Sequence, residues 1–274
     1  MKKLIIIIAA LASLLTVNAD TADNNIYMRM VSDADDAIAK GDLEKAERYL
    51  TDALNYQPTN PMNSMLISNL GMVRYYMGQD SMALVTLTHA HNLSPASVTI
   101  LLNRAKVLAS MRRVDEAMAD YALVTRLDST VAKPYFFRGM VRLNRGDLDS
   151  ATIEFDKLNR LDPDGYETAI AMAQYYSVTE QWSKALPYFS KLIRQEKAPE
   201  FFSGRAWCYL RKGDLQEASD DISRGLELAP DDSELLLCRA LLNKLRYRPA
   251  DSLRDAEAAI KHGADPQRVA RLLR

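Results

Sequence analysis

The chain reads as an all-α array of antiparallel helix pairs, and three observations in its 274 residues carry that expectation. The segments Gly41-Asp-Leu-Glu-Lys-Ala46, Gly146-Asp-Leu-Asp-Ser-Ala151 and Gly213-Asp-Leu-Gln-Glu-Ala218 are near copies of one another. Aligning on the closing Ala adds Ala83, Ala117, Ala185 and, in a seventh copy, Ser252, at successive spacings of 37, 34, 34, 34, 33 and 34 residues. Twelve residues before that anchor every copy has a small residue: Ala34, Gly71, Ala105, Gly139, Ala173, Ala206 and Ala240. A fixed period of this length marks stacked units, each of which buries its apolar face only against its neighbours.

The elements follow in order. Paired helices are expected to begin near Tyr27, Ser64, Val98, Ala132, Tyr166, Pro199 and Ser233. Counting the anchor as position 20, the small residue falls at position 8, where it lets the two helices of a pair approach closely. Position 24 is bulky in most copies: Leu50, Leu87, Tyr121, Phe155, Phe189 and Ile222. Pro58, Pro95, Pro163 and Pro230 close four copies, because Pro cannot continue a helix. Arg112, Glu180 and Tyr247 stand where other copies have the turn Gly. Pro187 falls inside a second helix and predicts a kink, whereas Pro249 suits a first turn. The three extra residues between copies one and two predict a local shift of register. Residues 266–274, Pro266 to Arg274, read as a short helix capping the open apolar end.

This register resembles the tetratricopeptide repeat, over seven copies in residues 27–265. The resemblance implies a right-handed superhelical solenoid whose concave groove, lined by the first helix of each pair, holds an extended segment or helix of a partner protein. Groove positions 2, 5, 9, 12 and 13 then supply Met65, Met72, Tyr75 and Tyr76 in copy two, and Leu102, Lys106 and Ala109 in copy three. Copy four adds Lys133, Phe136, Met140 and Asn144, and copy six adds Trp207 and Arg211. Such a floor, apolar and aromatic with scattered cations, suits a segment combining hydrophobic anchors with acids. Seven of the twelve Met residues lie between Met28 and Met82, and they either line the groove or fill seams between repeats. Asn69 and Asn103 occupy the Asn position of the carboxylate clamp known in some relatives, and Lys133 a clamp Lys position. Ser68, Met72 and Phe137 replace the remaining clamp residues, so that clamp does not carry over.

Four copies place Arg at position 7: Arg104, Arg138, Arg205 and Arg239. Sixteen residues later those copies, and only those, have an acid: Asp120, Glu154, Asp221 and Asp255. The remaining copies put Tyr49, Thr86 and Tyr188 there. Joint presence and absence predicts an ion pair between the two helices of one repeat, with a bidentate fork available to the guanidinium. The alternative is a row of arginines waiting for a carboxylate ligand.

Charge excludes little and chemistry is sparse. With 35 basic and 36 acidic residues, no global field points to nucleic acid. Lys2, Lys3, the apolar run Leu4 to Val17 and the small residues up to Ala19 have the pattern of a signal peptide over 1–19, or less simply of a retained anchor. A short linker over 20–26 would follow, and export to a bacterial periplasm or cell envelope is the expected destination. Cleavage leaves 33 basic against 36 acidic residues, a net charge of −3, and no stable membrane span. His89 and His91 diverge on a helix and cannot chelate one metal together, and His262 is isolated beside Gly263. No phosphate-cradling loop, metal-type Cys spacing or nucleophile elbow is present. No cofactor, metal or enzymatic activity is therefore expected. Cys208 and Cys238, on neighbouring first helices, are either a disulfide or two small buried thiols. The expected function is that of an exported adaptor binding a peptide or partner helix; the rival is a subunit of a permanent envelope assembly.

Overall fold

A computed structural model describes residues 21–274, with side chains from residue 24 onward; the expected signal segment lies outside the described residues. All regular structure among them is helical. The chain divides into two compact units, residues 1–137 and 138–274. In the first, α1 (Thr21–Lys40) pairs with α2 (Leu43–Tyr56), α3 (Asn63–Tyr76) with α4 (Asp80–Leu93), and α5 (Val98–Ser110) with α6 (Val114–Leu127). The boundary falls within α7 (Ala132–Asn144). The second unit continues with α8 (Leu148–Leu161), the pair α9 (Tyr166–Val178) and α10 (Trp182–Gln195), and the pair α11 (Pro199–Lys212) and α12 (Leu215–Leu228). It ends with α13 (Ser233–Leu245), α14 (Pro249–Lys261) and the short α15 (Pro266–Leu273).

Six of the seven first helices begin within one residue of the expected position. The exception is α1, which starts at Thr21, so that residues 21–26 extend the helix instead of linking to it. No Gly or Pro interrupts the chain from Thr21 to Lys40, which leaves the helix free to propagate backward. The three extra residues between copies one and two fall in the α2–α3 connection and leave both helices their normal length. Asn63 secures that longer link: its Nδ2 donates to the Gln57 carbonyl (2.7 Å), and its Oδ1 accepts from the buried Tyr27 hydroxyl (3.0 Å). The second helix α10 continues unbroken past Pro187.

Local chemistry explains the boundaries. Asp42 and Asp147, from the repeated Gly-Asp-Leu motif, cap α2 and α8 by accepting the backbone N–H of Lys45 and Ser150 (3.2 Å each). Before four of the second helices the chain turns through the left-handed region, at Gly41 (φ 76°), Gly78 (φ 78°), Gly146 (φ 77°) and Gly213 (φ 85°). Arg112, Glu180 and Tyr247 take the same conformation at φ 60°, 58° and 57° despite having side chains. Their turns close with the same bonds: Arg113 N–H donates to the Leu108 carbonyl (2.9 Å), Gln181 to Tyr176 (2.8 Å) and Arg248 to Asn243 (2.9 Å). The turn is thus imposed by the repeat, and Gly merely makes it inexpensive.

Close approach within each pair depends on positions 8 and 20. Ala34, Ala46, Ala83, Ala105, Ala117, Ala151, Ala185, Ala206, Ala218 and Ala240 have no exposed surface. A Cβ on Gly139 would lie 2.3 Å from Cε1 of Phe155, so the Phe155 ring at position 24 needs the space that Gly leaves at position 8. Burial of Phe155, Tyr121, Leu50, Leu87 and Ile222 supplies the seams. Truncating one such side chain to Ala costs about 2–5 kcal/mol.

Candidate functional site

Most polar side chains between paired helices serve the fold. Arg104 meets Asp120 bidentately, Nε to Oδ2 at 2.8 Å and Nη2 to Oδ1 at 2.6 Å. Arg205 grips Asp221 in the same way, at 2.7 Å for each bond, and also donates to Ser190 Oγ (2.9 Å). Glu154 is shared, accepting from Arg138 (2.7 Å) and Arg142 (2.6 Å). Asp255 accepts from Arg239 (2.7 Å) and the Asn243 amide (2.8 Å). The carboxylate side chains are only 3–7% exposed in all four pairs, whereas the arginines range from 14% for Arg138 to 42% for Arg239. These arginines are therefore engaged within their own repeats and do not form a row awaiting a ligand.

A second inter-helix contact recurs twelve residues apart and was missed from the sequence. Position 11 touches position 23 as Arg74–Thr86 (2.8 Å), Arg142–Glu154, Asn243–Asp255 and, through rings 5.9 Å apart, Tyr176–Tyr188. The residue types differ in every copy, so only the register could have shown it.

In the first unit the expected groove residues of copies two and three come together. Tyr75 and Tyr76 meet edge to face at 5.3 Å between ring centres. Lys106 donates to the Tyr76 hydroxyl (2.7 Å) and lies over both rings, 5.4 Å and 4.8 Å from their centres. Asn103 donates to the Ser68 hydroxyl (3.1 Å), and the Met65 sulfur accepts from Ser97 (3.9 Å). Leu102 is half-buried beside Ala105, Leu108 and Phe137. Met72 is different: it is buried among Ala83, Leu87 and Val107, so it fills a seam and presents no groove surface. On α7, Lys133, Phe136 and Met140 are half-buried and Asn144 is exposed near the helix end.

The second unit contains a cleft of about 350 Å³ on its first-helix face. Successive first helices line it at groove positions: Gln174, Ser177 and Val178 on α9, Glu200, Ser203 and Trp207 on α11, and Glu234 on α13. Arg268 of α15 closes one side by forking onto Glu234, Nη2 to Oε2 at 2.8 Å, with its Cζ 5.9 Å from the Trp207 ring centre. Arg211, by contrast, turns to the Trp182 ring (5.6 Å) and Glu180 (3.8 Å). Glu200 and Glu234 hold position 2 of their copies, so the groove register was the signal for them; Arg268 belongs to the terminal helix, which has no register to read.

Among the described residues no cluster of His, Cys, Asp and Glu is placed to hold a metal ion, and no helix is long and apolar enough to cross a membrane. Cys208 and Cys238 are free, buried thiols. Each contacts an oxygen of its own, Ser177 Oγ for Cys208 and the Ser203 carbonyl for Cys238, at 3.8 Å. Burial pushes the Cys208 thiol up to about 11 and the Cys238 thiol higher still, which leaves both protonated and unreactive.

Comparison with known proteins agrees with this geometry. A profile described as tetratricopeptide repeat matches residues 170–233, from α9 to the start of α13. A solved tetratricopeptide repeat protein from Parabacteroides merdae superposes with a TM-score of 0.66 at 23% identity, covering 91% of this chain and 98% of that one. YrrB, described as a tetratricopeptide-repeat protein with an unusual peptide-binding site, superposes at 0.55 with 20% identity over 68% of this chain and 96% of its own. The mitochondrial import receptor subunit TOM70 of Saccharomyces cerevisiae is 30% identical over 84 residues, which is 31% of this chain and 14% of the receptor. A DnaJ homolog of Schizosaccharomyces pombe is 24% identical over 58% of this chain and 38% of its own length. The chain thus spans less than half the length of these two relatives. Phased helix pairs followed by a short terminal helix, with small residues at each crossing, give the described residues the tetratricopeptide-repeat fold, and residues 170–233 match the repeat itself.

Proposed function

We propose that the chain is an interaction adaptor whose first-helix face in the second unit grips a segment of a partner protein. The observation that carries the reading is the cleft itself. Three successive first helices contribute to it at groove positions, with Trp207 as an aromatic anchor and polar groups of both signs around it. Aromatic anchors ringed by polar groups are where binding energy concentrates in protein interfaces. The Tyr75–Tyr76–Lys106 cluster offers the first unit a similar half-buried surface. The peptide-binding site named for YrrB and the receptor role named for TOM70 are compatible with that reading.

Capture from a native extract tests it, using residues 20–274 beside Trp207→Ala and Tyr76→Ala variants whose helicity is matched by circular dichroism. A partner lost from a variant supports recognition on the first-helix face. A partner held equally by all three, at fixed stoichiometry, would instead place the chain in a permanent assembly through another surface. We further propose export to an envelope compartment, on the strength of Lys2, Lys3 and the apolar run Leu4 to Val17. N-terminal sequencing of the fractionated protein tests this, with Asp20 as the expected first residue.

A further inference from the structure

This inference rests on the adaptor reading and specifies what the second-unit cleft accepts. Glu200 and Glu234 occupy the same register position on α11 and α13, and both line the cleft with Trp207. Nothing among the described residues forms an ion pair with the Glu200 carboxylate. Glu234 already holds a cation, the Arg268 guanidinium, which meets both carboxylate oxygens while facing the Trp207 indole. A planar fork on a carboxylate and a flat face over an aromatic ring are two contacts that guanidinium makes together and ammonium does not. Yet Arg268 and Glu234 are 43% and 46% exposed, so water screens the pair and its release is easy. The helix that brings Arg268 is anchored independently, by the buried Val269 and by Leu272 against α13. The side chain can therefore leave while the cap stays.

We propose that this cleft is an arginine seat. It receives an arginine-bearing extended segment of a partner protein, whose guanidinium takes the place of Arg268 on Glu234 and Trp207 while Glu200 holds a neighbouring positive charge. Arg268 is the resident occupant, and it keeps the cleft filled when no partner is present. This reverses, for the second unit, the acid-bearing segment suggested by the scattered cations of the sequence.

The chain has two Trp residues, so Trp182→Phe leaves Trp207 as the sole indole reporter. Peptide pools of about eight residues with Arg, Lys, norleucine or Glu fixed at the centre are titrated while Trp207 emission is followed. The Arg pool is expected to bind about tenfold tighter than the norleucine pool, and more tightly than the Lys pool. Arg268→Gln should tighten the Arg pool by about fivefold, because the resident competitor is gone. Glu234→Gln should weaken it by about tenfold and the exposed, structurally neutral Glu200→Gln by about threefold. An Arg pool no tighter than norleucine, or an Arg268→Gln variant that binds more weakly, overturns the seat. A Glu or norleucine pool that wins and is lost in Trp207→Ala rejects the seat while sparing the adaptor reading. If no pool moves Trp207 and captured partners ignore Trp207→Ala, both ideas fail.

Discussion

The four inter-helix ion pairs should differ widely in strength, and the order follows from how many partners each buried carboxylate keeps. Replacing Arg104 with Met leaves Asp120 enclosed with no cation, which costs about 3–5 kcal/mol. Arg205→Met strands Asp221 likewise, at a similar cost softened by whatever the freed Ser190 hydroxyl can donate. Arg138→Met is milder, about 1–2 kcal/mol, because Glu154 still accepts from Arg142. Arg239→Met should cost about 1 kcal/mol, since that guanidinium is already nearly half in water and Asp255 keeps the Asn243 amide. Replacing both partners at once is a separate matter. Copy five has Met172 and Tyr188 at these positions, and Arg104→Met with Asp120→Tyr should recover most of the loss because no charge remains buried.

A repeat array need not unfold in one step, so the readout should be local. Amide exchange of α5 and α6 reports the opening of repeat three, and a double-mutant cycle over Arg104 and Asp120 converts it to a coupling energy. The expected coupling is about 2–3 kcal/mol there and under about 1 kcal/mol for Arg239 with Asp255. Equal couplings in the two repeats, or none for Arg104 with Asp120, would refute the argument from burial.

Three further outcomes are expected. Glycine at Tyr247, a 93% exposed residue held at φ 57°, should raise the melting temperature through relief of about 0.5–1 kcal/mol, with a smaller gain at Glu180, where Gly forfeits the contact with Arg211. Ellman's reagent should leave native Cys208 and Cys238 unmodified for hours and titrate two thiols at once in denaturant; fewer than two without reductant would reveal a disulfide. Burial and the neighbouring Arg104 hold His91 below its ordinary pKa, against the opposing pull of Asp120. The unfolded chain thus takes up a proton that the fold resists, so stability should fall as pH drops through about 6.5, and His91→Gln should flatten that slope in thermal melts at pH 7.5 and 5.5.

How much of this could be read in advance depended on whether a feature repeats. The fold could be, because its determinants recur in phase: a small residue at position 8 appears in all seven copies, and Ala at position 20 and a bulky residue at position 24 appear in six. The ion pairs were readable for a subtler reason, since presence in four copies and joint absence in three is an alignment contained in one chain. Met72 misled because groove and seam are both apolar; a side chain at a groove position turns inward when Ala83 and Val107 leave space beneath it. The extension of α1 to Thr21 escaped because no repeat precedes it to mark a boundary. Arg268 was beyond reach because its terminal helix has no repeat register.

Arg268 also shows why the site is harder to read than the scaffold. Stacking requires each repeat to satisfy its neighbours, so the residues that build seams are constrained to similar solutions and leave a periodic trace. A recognition face has no such duty to the stack. Tyr75, Tyr76 and Lys106 form one kind of surface in the first unit, and Trp207, Glu200 and Glu234 form another in the second; between the two sets only Lys106 and Trp207 share a register position. The departure from period is therefore itself the functional signal. If the two faces do select different segments, exchanging Trp207 and Glu234 for the residues at the same positions of copies two and three should abolish arginine preference while leaving amide protection of α11 and α13 intact. Loss of protection together with preference would mean that those residues are scaffold after all.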